Sequence, residues 1–274
     1  MQPNFKVLGV RVHAVQIPDV VAQLHSWIGD GQSAARFVAV TGMHGVAEAR
    51  QNDAFRQILN AADLVVPDGK PLVWLGRLHG HALRRRVYGP ELMQAFCRDS
   101  GSAYRHFFYG GAPGVAEKLA RVLHEKHGIV IAGTYTPPFR SLSEVEEKEL
   151  ASIVDEAAPD VFWVGISSPK QEKWMYEHRC TLKVPVMLGV GAAFDINSGN
   201  SRRAPGWMGE HGLEWLFRLV NEPRRLWKRY LISIPKAMWF VFLELLQFPK
   251  SQSALGQRRA RTPKNSAGFN QSSL

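Results

Sequence analysis

Short apolar runs alternate with longer stretches of mixed apolar and polar residues through the first two-thirds of the chain. Residues 6–15, 36–41, 63–67, 104–109, 129–134, 161–166 and 184–190 predict strands. Residues 19–29, 46–61, 91–100, 114–127, 143–157 and 169–179 predict helices. Several of the strand runs are continuously apolar, as strands buried on both faces of a sheet are. This alternation predicts an α/β fold, Rossmann-like and doubly wound, with a mostly parallel sheet. Ligands of such folds bind outside the carboxyl ends of the strands, so the loops that follow the strands are the places to look for chemistry.

Helix starts carry their own marks. Ser143 followed by Glu146 forms a capping box, in which hydroxyl and carboxylate each satisfy a free backbone N–H. Pro113 and Pro169 suit first-turn positions, where the missing N–H costs nothing. Beyond Gly206 the pattern changes. Residues 213–231 read as an amphipathic helix interrupted by Pro223, and residues 236–248 as a second, shorter one. From Lys250 onward there are five basic residues, no acid and one aromatic, a composition that buries no core and predicts disorder. The predicted organisation is an α/β body over residues 1–206, a basic aromatic helical appendage over 207–249 and a basic tail over 250–274.

Charge sharpens that division. Residues 1–201 hold 21 Lys+Arg against 20 Asp+Glu, whereas residues 202–274 hold 13 against 4. The same stretch carries Trp207, Trp215, Trp227, Tyr230, Trp239, Phe240 and Phe242. Cations interleaved with large amphipathic aromatics suit an anionic membrane surface, because Lys and Arg meet headgroups while rings sink below them. No run reaches the roughly 18 apolar residues that a spanning helix needs, and the N-terminus has no apolar signal region. Cys97 and Cys180 are the only cysteines, which fits a reducing compartment. The expected location is cytoplasmic, peripheral on the inner face of the plasma membrane.

Five strand-end loops are candidates. Thr41-Gly42-Met43-His44 ends the second run, with a glycine that lets a ligand approach the backbone. Pro67-Asp68-Gly69-Lys70 ends the third. Asp68 has two open readings: a turn-forming side chain, or a general base at the mouth of the sheet. Gly110-Gly111-Ala112-Pro113-Gly114 joins a strand to a helix and is either a tight turn or an anion site for a diphosphate. It is not G-x-G-x-x-G, which argues against a nicotinamide dehydrogenase. Ser167-Ser168-Pro169-Lys170-Gln171-Glu172 brings hydroxyls, an ammonium and an amide to a strand end. Gly189–Asp195, which includes Gly191, either receives a ligand or packs a helix closely on a strand. The histidines show no metal spacing, and no Asp-x-Asp pair is present to hold a divalent ion on a diphosphate.

Taken in order, these loops resemble the WecG/TagA/CpsF family of bacterial glycosyltransferases. The resemblance rests on Ala62 to Gly69, Tyr88-Gly89-Pro90-Glu91-Leu92, Gly110 to Ala116, Pro169-Lys170-Gln171-Glu172, Gly189–Asp195, Arg203-Ala204-Pro205, and Leu213 to Leu219 with Glu222-Pro223-Arg224-Arg225-Leu226. It implies a membrane-associated enzyme that moves a sugar from a UDP donor to a sugar on a polyprenyl diphosphate, inverting the anomeric carbon. It further implies no metal and no cofactor, and an appendage that docks on the membrane and completes the site. The family base falls on Asp68, with Thr41, Arg86 and Gln171 also matching site positions. The appendage arginines fall on Arg218 and Arg225, with Lys228 or Arg229 as the third. His44, Gly110, Gly111, Lys170, Gly191 and Asp195 complete the expected substrate-binding set. Met43 stands where many members that transfer N-acetylmannosamine have Asn, which points toward an exopolysaccharide pathway with another donor sugar.

Two other readings of the same residues stand beside this one. A nucleic-acid-binding protein would also use basic and aromatic residues, but no recognition motif occurs and the body is neutral, so no nucleic-acid partner is expected. A non-catalytic membrane-binding α/β protein would have no use for the intact series of strand-end loops. A homo-oligomer is compatible with everything above.

Overall fold

The computed structural model describes residues 2–31, 34–210 and 213–247, without the side chains of residues 209, 210, 225, 229 and 247. The tail assigned to 250–274 lies outside the described residues. In chain order the elements are β1 (Asn4–Val7), β2 (Val10–His13), α1 (Ile17–Ile28), β3 (Arg36–Thr41), α2 (Met43–Gln51), α3 (Asp53–Ala61), β4 (Leu64–Pro67), α4 (Lys70–Leu78) and α5 (Gly89–Ser100). There follow β5 (Arg105–Gly110), α6 (Val115–His127), β6 (Val130–Tyr135), α7 (Glu144–Ala157), β7 (Val161–Gly165), α8 (Lys170–His178), β8 (Val186–Gly189) and α9 (Ala193–Asn197). The C-terminal helices are α10 (Gly206–Glu210), α11 (Glu214–Asn221), α12 (Pro223–Lys228) and α13 (Ile234–Gln247), with a π-helical turn at Arg229–Ser233 before the last.

Six strands form one sheet in the order β4-β3-β8-β7-β5-β6, and every neighbouring pair is parallel. The pleat sorts the apolar runs onto two cores. Phe37 and Ala39 face one side with Val65, Phe107, Phe162 and Met187, under α2, α3, α4, α7, α8 and α13. Val38 and Val40 face the other with Leu64, Phe108, Trp163 and Leu188, under α1, α5, α6 and α9. Continuous apolar runs are what a sheet covered on both faces requires, so the doubly wound α/β reading holds.

Four local expectations need correction. Residues 6–15 are an antiparallel hairpin, not one strand. Its two-residue turn places Leu8 at φ 49° and Gly9 at φ 83°, the pair of left-handed residues that matches strand twist. Residues 46–61 are two helices, because the Asn52 side chain accepts the Phe55 N–H and starts α3 as its N-cap. Helix α4 begins directly after Asp68-Gly69, with Pro71 in its first turn, where no helix had been predicted. Pro113 precedes α6, which begins after Gly114, and Pro169 is the N-cap of α8 rather than a first-turn residue. The Ser143–Glu146 capping box is present.

The C-terminal helices are joined to the body. Ala237 and Val241 of α13 are buried in the same core as α2. Glu244 accepts the Leu8 N–H at 3.0 Å, and the Arg50 guanidinium lies 4.2 Å from the centre of the Phe240 ring.

Candidate active site

Parallel strands bring the loops after β3, β4, β7 and β8 to one edge of the sheet. Thr41 pairs with Pro67, and the Asp68 N–H donates to the Thr41 carbonyl at 2.8 Å. The two loops touch so closely that a Cβ on Gly42 would stand 2.6 Å from the Asp68 carbonyl oxygen. Asp68 therefore sits at the carboxyl end of β4, just ahead of α4, with Gly69 at φ 109° reversing the chain behind it.

Asp68 has two cations and a phenol in its electrostatic field. The carboxylate acts electrostatically on Arg86, Tyr88 and Arg218. Burial pulls the Arg86 pKa down, but Asp68 and Glu214 outweigh it and the net direction is up. Arg218 follows the same pattern: burial is opposed by Tyr230, Tyr88, Asp68 and Glu214, and the guanidinium is raised overall. Burial, and then Glu214, raise the Tyr88 phenol. Both arginines thus stay charged in a sheltered place, which is the requirement for holding a diphosphate without a metal.

Glu214 at the start of α11 binds these groups together. It is 8% exposed. It is ion-paired with Arg86, and its charge acts on the Tyr88 phenol. The Arg86 guanidinium stacks 4.2 Å from the centre of the Tyr88 ring. An open cleft is lined by Tyr88, Asp195, Arg203, Glu214, Phe217 and Arg218 among others. Body and appendage thus build one cleft.

Beside it lies a set of buried polar atoms. Thr41 and Gln171 are each 2% exposed. Thr41 Oγ1, Ser168 Oγ and Gln171 Oε1 are buried and have no hydrogen-bond partner among the described residues. A Cβ on Gly45 would lie 2.1 Å from Thr41 Oγ1 and 3.8 Å from Ser168 Oγ, so the two hydroxyls flank one glycine. Gln171 Nε2 donates to Glu172 at 3.1 Å, and the amide packs under Gly189 and Gly191. Buried polar groups are ordinarily satisfied, so this cluster is where a polar ligand or water is expected.

The remaining expected residues divide. Asp195 lines the cleft. His44 is half-buried in the first turn of α2, and Lys170 is exposed at the head of α8. Gly191 takes φ 51° in its turn. The Gly111 N–H is not bare: it donates to the Gly165 carbonyl at 3.1 Å. A Cβ on Gly110, at φ 129°, would stand 2.7 Å from that same carbonyl, so these glycines answer to strand packing. The side chains of Arg225 and Arg229 lie outside the described residues. Among the described residues no group of three or more His, Cys, Asp or Glu is placed to hold a metal ion. Met43 is buried in the core rather than facing the cleft, so its identity carries no argument about the sugar. Tyr88, Arg203, Glu214 and Ser168 also lie at the site; each belongs to a stretch named from the sequence, but none was in the expected catalytic or substrate-binding set.

Comparisons with known proteins identify the family to which this fold and cleft belong. The model of the glycosyl transferase WecG/TagA/CpsF family matches residues 5–251. A Bacillus spizizenii N-acetylglucosaminyldiphosphoundecaprenol N-acetyl-beta-D-mannosaminyltransferase is 34% identical over 207 residues, 75% of this chain and 78% of that protein. The Bacillus subtilis protein of the same name is 32% identical over 192 residues, 69% and 72% of the two chains. A Staphylococcus aureus protein, again of that name, is 24% identical over 234 residues, 85% and 90%. The chain belongs to the WecG/TagA/CpsF family and is a glycosyltransferase.

Proposed function

We propose that the enzyme transfers a sugar from a UDP donor to a sugar carried on a polyprenyl diphosphate, with inversion. The observation that carries this reading is the place of Asp68, at a strand end beside two sheltered guanidiniums, Arg86 and Arg218. Asp68 takes the proton of the acceptor hydroxyl as its oxygen attacks the anomeric carbon. The bond to the UDP oxygen breaks, and the leaving diphosphate gathers charge against Arg86 and Arg218. Thr41, Ser168 and Gln171 supply the polar contacts that orient the donor. An α-linked nucleotide sugar attacked once in this way gives a β product, the configuration in the relatives' names.

The relatives also support the acceptor class and make N-acetylmannosamine the first donor sugar to test. Membrane docking draws support from Trp215, Trp227, Trp239 and Phe242, all exposed, and from Arg224, Lys228 and Lys236 nearby. No helix among the described residues is long and apolar enough to cross a membrane.

The test is turnover of a short-chain polyprenyl-diphosphate N-acetylglucosamine acceptor with UDP-N-acetylmannosamine and UDP-glucose in parallel. Asp68→Asn should lower kcat by about 10²-fold or more while leaving UDP affinity nearly unchanged. Near-normal turnover in that variant removes Asp68 from the mechanism.

A further inference from the structure

We propose that the membrane contact extends from the C-terminal helices onto the body itself, through Trp74 and Leu78 of α4 and the basic loop that follows them. The occupant of this face is an anionic lipid surface. The inference rests on the docking proposed above and enlarges it to a part of the chain outside the basic appendage.

Residues 69–90 carry Lys70, Arg77, Arg84, Arg85 and Arg86 and no Asp or Glu. The balanced charge of the body as a whole hides this stretch. Arg86 turns to Glu214 in the cleft, whereas Arg77, Arg84 and Arg85 are exposed. Arg77 also fastens the loop: its Nε donates to the Leu83 carbonyl at 2.6 Å and its Nη2 to the Arg84 carbonyl at 2.9 Å. The segment that bears Arg84 and Arg85 is thus tied back to α4.

Helix α4 has two sides. Leu72, Val73 and Leu75 are buried in the core. Trp74 and Leu78 turn outward, 55% and 70% exposed. They lie four residues apart and so share one face. Leu75 and His79 of α4 line one groove together with Val241 and Leu245 of α13. Leu78 neighbours Leu75 along its own helix, and the exposed Phe242 neighbours Leu245 along the other. Two exposed apolar faces, one from the body and one from the appendage, therefore flank the same groove. Such a surface, rimmed by arginines and carrying tryptophan, fits headgroups above and acyl chains below. Helix α4 also starts directly after Asp68-Gly69 and is about 13 Å long. Seating it on a bilayer sets the height of the site above the headgroups, where a lipid-linked acceptor stands.

The experiment uses the full-length chain and vesicles of phosphatidylglycerol and phosphatidylcholine in equal parts, with pure phosphatidylcholine as the neutral control. Cys97 is buried and Cys180 exposed, so Leu78→Cys in a Cys180→Ser background takes a single environment-sensitive nitrobenzoxadiazole label. Its emission should shift to the blue on the anionic vesicles and be quenched by spin-labelled lipid. In cosedimentation, Trp74→Gln with Leu78→Gln should weaken partitioning about tenfold or more. Arg84→Ala and Arg85→Ala should each weaken it about fivefold on the anionic vesicles alone, at low salt. Turnover of the soluble short-chain acceptor should stay within about twofold of wild type in all these variants, which also shows that they fold. A label that stays silent while the protein is bound would overturn the inference, as would unchanged partitioning of the double variant. A blue shift that grows with protein concentration without vesicles would overturn it too, and assign the face to a second copy of the chain. Wild-type protein that does not bind vesicles refutes the proposed docking and this inference with it, while turnover of the soluble acceptor tests sugar transfer independently.

Discussion

Two buried histidines should make the fold sensitive to mild acid. His13 ends β2, where its Nδ1 accepts the Val65 N–H at 3.0 Å. His106 lies in β5, where its Nδ1 accepts the Trp163 Nε1–H at 3.0 Å. Both side chains are buried. Burial, helped by the Arg11 cation, lowers His13 to about 4. Burial alone lowers His106 to about 4. Protonation at Nδ1 would also set a donor against a donor in each case.

The sign follows from proton counts. Between the unfolded value of 6.5 and the folded value of about 4, the unfolded chain binds more protons than the native one. The stabilisation is therefore complete above the unfolded value and is lost as pH falls through the window toward the folded one. Lowering the pH from about 7 to about 5 should cost roughly 2 kcal/mol per histidine. Urea unfolding followed by circular dichroism at the two pH values reads this directly. Asn places an oxygen near the position of Nδ1 and does not titrate, so His13→Asn and His106→Asn should each flatten the pH slope by about half. A slope left unchanged by both variants would show that the acid sensitivity resides elsewhere and that these environments do not disfavour the imidazolium.

Further outcomes bear on the site. Gly45→Ala gains about 1 kcal/mol of helix propensity but drives a methyl to 2.1 Å from Thr41 Oγ1; the hydroxyl must turn, so turnover should fall well below wild type while the thermal midpoint moves only a few degrees, and normal kinetics would dismiss Thr41 from donor binding. If Arg86 and Arg218 neutralise the leaving diphosphate as proposed, turnover should persist in excess chelator; activity lost with EDTA and restored by magnesium or manganese would contradict this. Ending the chain before Leu213 removes Glu214 and Arg218 and uncovers the α2 surface covered by Ala237 and Val241; both the thermal midpoint and turnover of a soluble acceptor should drop, and a truncated chain as active as the full one would confine the appendage to anchoring.

Most of the architecture was legible because it depends on a simple alternation. A parallel sheet covered on both faces needs apolar residues at every strand position, and runs such as 36–41 and 161–166 show that directly. What stayed hidden depends on single side chains competing with the backbone. Asn52 splits a continuous helical pattern because its side chain can cap the following turn. Leu8 accepts a left-handed turn because Gly9 follows and the strands on either side zip together. At the site, Asp68, Thr41 and Gln171 could be named from loop position and resemblance. Tyr88 and Glu214 could not be assigned roles, because 128 residues separate Arg86 from Glu214 along the chain. Glu214 entered the sequence reading only as part of the Leu213 to Leu219 stretch, with no role of its own.

That acid changes how the appendage is to be understood. Net charge alone treats the C-terminal helices as cations seeking a surface, and for that purpose any arrangement of Lys, Arg and Trp would serve. The structure places one of the segment's few carboxylates against the body's own Arg86, and the next turn of the same helix brings Arg218 into the field of Asp68. The aromatic residues Trp215 and Trp227 remain exposed on the same stretch. A helix with one face spent on the site and another on solvent is suited to two contacts at once. Whatever shifts α11 relative to the strand ends must therefore disturb the Arg86–Glu214 pair and move Arg218 with it, so under the proposed function catalysis and attachment would be coupled through the seating of one short helix rather than through the total charge of the segment.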